Sequence, residues 1–165
     1  MKKKRVRKGQ RRKSRRALLI VVVGLTALVL VLILIGSRPQ LPSVGDHWHA
    51  RYEIIVCGER FPFLPYTQGE IHTHGDGQLH IHPKVETEAG ANSNLGRFFA
   101  NAGLYFDREM LRLPGGETVK NGDRCPDGRP GRLRLVVNGS ENTSLDKYVP
   151  QEGDFIRIEF RQEAS

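Results

Sequence analysis

No acidic side chain occurs in the first 36 residues: all 18 Asp and Glu of the 165-residue chain come later, whereas eleven of its 26 Lys and Arg fall in positions 1–16. From Ser37 onward 15 basic residues face 18 acidic ones, a net of −3, so the formal charge of +8 belongs to the tail. A nucleic-acid-binding domain needs its positive charge clustered on the folded surface, and this distribution excludes that class. Sulfur is scarce as well. The chain has two cysteines, Cys57 and Cys125, with no C-x-x-C pair, which leaves a thioredoxin-like redox role without support. Met110 is the only methionine outside the tail, which argues against a thioether site for Cu(I). No G-x-S-x-G or phosphate-cradling P-loop pattern is present, and glycine-rich stretches such as LPGGETVKNGD read as turns.

What the N-terminal region does contain is an apolar run from Ala17 to Ile35, 19 residues without charge or proline. At about 1.5 Å per residue it spans roughly the 30 Å hydrocarbon core of a bilayer. A cleaved signal peptide would have a shorter apolar region ending in small residues, and here the run leaves through GSRPQLP. The reading is therefore a basic tail over 1–16, a transmembrane helix over 17–36 and an extended linker over 37–45 that carries Pro39 and Pro42. Residues 46–165 then form one extracytoplasmic domain. The basic flank places the N-terminus in the cytoplasm, and the lipid bilayer is the first expected partner. The tail is also able to attract anionic headgroups.

The histidines carry the chemical information. All six fall in three His-x-His pairs: His47 and His49 in DHWHA, His72 and His74 in EIHTH, His80 and His82 in LHIHP. Residues two apart in a strand share a face, so each pair presents two imidazoles side by side if its segment is extended. The intervening residues agree with that geometry. Ile71 and Thr73, Leu79 and Ile81, and Trp48, Ala50, Tyr52, Ile54 and Val56 alternate with the histidines. Each strand thus turns an apolar face to the core and a histidine face away from it.

Gly75-Asp76-Gly77-Gln78 lies between the second and third pairs and reads as a hairpin loop. With Asp76, Gly77 and Gln78 in the loop, Gly75 pairs with Leu79, His74 stands opposite His80, and His72 opposite His82. Four imidazoles then crowd one hairpin face, and a one-residue slip would send one pair to the core side.

Convergent neutral imidazoles suit Zn(II), Cu(II) or Fe(II), so a divalent transition metal is the expected cofactor. The competing reading is a polar sheet face, or a cluster that charges near pH 6 as a switch. His47 and His49 complete the site from a neighbouring strand, with Asp46 or Glu70 as carboxylate ligands or as acceptors that fix a ring tautomer. Cys57 shares the parity of His49, but eight residues at about 3.3 Å each place it some 26 Å along a straight strand. Outside the cytoplasm Cys57 and Cys125 are expected to form a disulfide.

Elsewhere, Ser93 as N-cap and Gly103 as C′ residue bracket a helix of two to three turns that buries Leu95, Phe98 and Phe99. Arg132–Asn138 and Asp154–Phe160 read as strands, and SLDKYVP between them as a single turn. The fold class is α+β: the transmembrane helix followed by a small, mainly β ectodomain with one short helix.

Two resemblances add to this. VVNG followed by LDKYVPQEGDFIRIEF resembles the ending of β-grasp proteins, in which a glycine-aspartate turn leads into the last strand. The terminal di-glycine of the sulfur carriers of that fold is not present, so the likeness implies shape and not sulfur transfer. Through DHWHA, the Cys57-Gly58 that follows its strand, and IHTHGDGQLHIHP, the chain resembles an uncharacterised family of single-pass bacterial membrane proteins. That likeness implies the topology and a bacterial source, and no activity. The expected function is a membrane-anchored extracytoplasmic metal-binding protein, a carrier, sensor or accessory factor. The alternatives are a mononuclear metalloenzyme with Glu70 or Asp76 as general base, and a metal-free structural, partner-binding or pH-sensing domain.

Overall fold

A computed structural model describes residues 18–33 and 39–162. Residues 18–33 form helix α1, and its leucine, isoleucine and valine side chains are exposed. Among the described residues no helix is long and apolar enough to cross a membrane; Ala17 and positions 34–36 of the expected span, like the basic tail, lie outside them. Two compact units divide the chain, residues 1–39 and 40–165.

The second unit is built on a seven-stranded sheet. Its strands are β1 (Trp48–Val56), β2 (Glu59–Arg60), β3 (Ile71–His72), β4 (Gln78–Ile81), β8 (Gly131–Val137), β9 (Ser140–Asn142) and β10 (Phe155–Gln162). Strands β5 (Tyr105–Phe106), β6 (Met110–Arg112) and β7 (Thr118–Lys120) form a second, three-stranded sheet. In the large sheet the order is β3-β4-β1-β10-β8-β9, with β2 paired to β1. The first and last long strands lie side by side in parallel, Ile54 against Ile158, and the other pairings are antiparallel. Alternation does the sorting: Ala50, Tyr52 and Ile54 of β1, Leu133 and Leu135 of β8, and Ile156, Ile158 and Phe160 of β10 are buried in one core.

Helix α2 (Leu95–Asn101) covers that core with Leu95, Phe98 and Phe99, and the Phe98 ring meets Tyr52 edge-on at 5.4 Å. Its N-cap is Asn94, not the expected Ser93. Asn94 Oδ1 accepts the Arg97 N–H at 3.0 Å, while the Ser93 hydroxyl is committed to the Glu88 carbonyl at 2.6 Å. Gly103 follows with φ +70°, the left-handed conformation that ends helices. Residues Leu145–Lys147 make a single 3-10 turn before the last strand.

On the opposite face of the sheet from the core lies a row of charges. Glu53, 3 % exposed, is paired with Arg60 at 2.6 Å and with Arg157, which also reaches Glu159 at 3.4 Å. The histidines occupy the other end of the same face. Cys57, just past β1, is joined to Cys125 by a disulfide.

Candidate metal centre

The hairpin forms with a register two residues away from the expected one. Ile71 pairs with Ile81 and His72 with His80, so His74 does not stand opposite His80 and the loop runs from Thr73 to Gly77. The cause is a competing partner for Thr73. Its N–H donates to Thr67 Oγ1 at 3.0 Å and its carbonyl accepts from Thr67 N–H at 3.0 Å, which draws Thr73 out of the ladder. Gly75 and Gly77 supply the positive φ values of the turn, +85° and +79°, and Asp76 Oδ1 accepts the Gln78 N–H. A shift of two residues conserves side-chain parity, so both pairs stay on the same face.

Strand β4 is central rather than peripheral, because it also pairs with β1: His49 stands against His80, and Trp48 against Ile81. His72, His80 and His49 therefore form one lateral row across β3, β4 and β1. His47, His74 and His82 lie just outside the strand ends and surround that row. Ring centroids stand 4.8 Å apart for His49 and His80, 4.6 Å for His47 and His49, 4.9 Å for His47 and His82, and 4.3 Å for His74 and His80. All six imidazoles belong to one continuous patch.

Within it, His47, His49 and His80 bring ligand nitrogens within 4.8 Å of one another and could hold a metal ion. That group takes two residues from β1 and its approach and one from β4. His80 Nε2 is buried and has no hydrogen-bond partner among the described residues. A buried imidazole nitrogen without a partner is costly unless something absent from the polypeptide satisfies it.

At three of the rings the surroundings favour the neutral form, the one that binds metal. Burial pushes His72, His80 and His82 below the usual histidine range, and the neighbouring imidazoles act in the same direction. In His72 a hydrogen bond from Nδ1 to the Gly69 carbonyl, 2.9 Å, opposes that shift in part. Because a carbonyl only accepts, Nδ1 carries the proton and Nε2 offers a lone pair.

The carboxylates expected as ligands are engaged elsewhere. Asp46 Oδ2 accepts the Ser43 N–H and Glu70, 6 % exposed, is ion-paired with Arg97, while Asp76, expected only as a general base, caps its own loop. Cys57 is taken by the disulfide. The candidate ligand set is therefore all nitrogen.

Three residues around the patch were not legible as such in the sequence. Tyr66 stacks on His74 with ring centroids 5.7 Å apart. Gly69 fixes the His72 tautomer through its carbonyl. Glu152 accepts the His49 backbone N–H at 2.7 Å, and Gly153 N–H donates back to the His49 carbonyl at 2.7 Å. This clamp is anchored by Asp154, whose carboxylate accepts from Asn138 Nδ2, the Tyr148 hydroxyl and the Gln151 N–H. Burial and the bond to Asp154 both push the Tyr148 hydroxyl far up, so it remains a donor. The glycine-aspartate turn is visible in the sequence; its grip on a strand a hundred residues earlier is not.

No protein-family profile, curated protein or solved structure matches the chain, so the site is defined by its own geometry.

Proposed function

We propose that this is a membrane-anchored, extracytoplasmic protein that binds a divalent transition metal as a carrier, sensor or accessory factor. The observation that carries the metal part is the convergence of His47, His49 and His80, with a buried Nε2 on His80 that has no hydrogen-bond partner among the described residues. Neutral nitrogen ligands without thiolate or carboxylate fit Zn(II), Cu(II) or Fe(II). Membrane anchoring is supported by the 19-residue apolar run, by the exposed apolar side chains of α1 and by the basic tail before it. The parallel pairing of β1 with β10 supports the β-grasp-like character of the C-terminal ending. A hydrolytic role receives no such support, since the two carboxylates that would act as general base, Glu70 and Asp76, are held by Arg97 and by the loop.

The test is equilibrium dialysis of the full chain against Zn(II) at pH 7.5, followed by metal analysis. The wild type retains metal, and the double variant His49→Gln, His80→Gln retains one ion fewer per chain. Retention should fall as pH drops through about 6, where protons compete for the ring nitrogens. A wild-type chain that retains none, or a double variant with unchanged stoichiometry, would refute the proposal.

A further inference from the structure

The three histidines that the tight group leaves over are also arranged for coordination. His72 Nε2 and His74 Nε2 are 3.1 Å apart. Two nitrogens bound to one tetrahedral ion at 2.0–2.1 Å stand about 3.3 Å apart, so the pair is already at the spacing of two ligands of one metal. Direction agrees with distance. The His72 proton is fixed on Nδ1 by the Gly69 carbonyl, so His72 Nε2 accepts the hydrogen bond from His74 Nε2, and a metal that displaces that one proton would meet both nitrogens. Tyr66 stacks on the outer face of His74 and restrains its ring. His82, with its ring 4.7 Å from that of His72, stands next to the pair on the β4 side.

His47 and His49 approach from β1 and His72 and His74 from β3, and β4 between them borders both pairs: the His80 ring is 4.8 Å from His49 and 4.3 Å from His74, and the His82 ring is 4.7 Å from His72 and 4.9 Å from His47. Adjacent strands are about 4.8 Å apart, so the pair from β1 and the pair from β3 rise from backbones roughly 10 Å apart.

Resting on the metal-binding reading above, we propose that the histidine patch is a two-metal site: His47, His49 and His80 hold one ion, and His72, His74 and His82 hold a second beside it. Each set has one exposed ligand, His47 in the first and His74 in the second, and the second also contains the buried His72.

Stoichiometry and magnetic coupling distinguish the outcomes. The full chain is dialysed against Zn(II) at pH 7.5 in the presence of a weak competing chelator and analysed for metal per chain, and a parallel sample loaded with Cu(II) is examined by electron paramagnetic resonance. Two Zn(II) per chain and a dipolar-coupled Cu(II) spectrum are expected. The double variant His72→Gln, His74→Gln should fall to one Zn(II) and give an uncoupled Cu(II) spectrum. His74→Gln alone, at an exposed position where folding is not at stake, should show the same loss. The reciprocal variant His47→Gln, His49→Gln should also retain one ion. A wild type that binds one ion, unaffected by His74→Gln, would overturn the second site and leave the first. Two ions retained in both His74 variants would overturn the assignment of ligands. A wild type that binds none would overturn both readings together.

Discussion

His72 is the residue at which packing and chemistry meet most closely. It is 7 % exposed, its Nδ1 is tied to Gly69 and its Nε2 faces His74, so it is held neutral in a place where a charged ring would be poorly solvated. His80 and His82 are shifted in the same direction, chiefly by burial. A histidine whose native pKa lies below its unfolded value binds fewer protons when folded. Its contribution to stability is therefore complete above the unfolded value of about 6.5 and is lost as pH falls from there toward the native values. In chelator-treated protein the urea midpoint should consequently drop between pH 7.5 and 5.5, and the variant His72→Gln, His80→Gln should show a flatter profile. A wild-type midpoint that rises on acidification would show that the patch is stabilised by charge instead.

At the scale of elements, β4 organises the site because it is paired on both sides, and the central strands determine whether it is held in place. The parallel contact of β1 with β10 depends in turn on β10 lying flat against β8, where Gly131 pairs with Gln162 at the strand end. A Cβ on Gly131 would overlap the ring of Phe160, which is 1 % exposed and has no room to yield. Gly131→Ala should therefore cost about 1–3 kcal/mol, the usual range for overpacking a well-filled core. Chemical denaturation would show it as a lower midpoint with an unchanged slope. A neutral result would mean that the β8 end can move away from the ring without loss.

For the whole molecule, the disulfide and the proposed metal centre sit at opposite ends of β1. Cys57 follows the last residue of that strand, while His47 and His49 are at its beginning. The bridge closes a sequence separation of 68 residues, worth about 4 kcal/mol in the chain-entropy account. Such a bond persists in an oxidising compartment, which agrees with placing this domain outside the cytoplasm. A reporter that is active only outside the cytoplasm, fused after Ser165, should accordingly be active, and protease added to intact cells should remove it. A reporter silent there but active when fused at the N-terminus would invert the orientation.

Local properties were legible from the chain alone. Period-two alternation gave the strands around His49, His80, Leu135 and Ile158, and it placed the histidines on the face away from the core, because parity along an extended chain is independent of what pairs with it. Pairing itself was a matter of tertiary structure. Thr67 captures Thr73 and moves the hairpin register by two residues, Arg97 takes Glu70, and β1 docks beside β4 so that His49 meets His80. Each of these is a choice between partners distant in sequence, settled by which contacts the packed core brings within reach. The sequence by itself therefore determined which residues can serve as ligands, and only the folded sheet decided which of them stand close enough to share a metal.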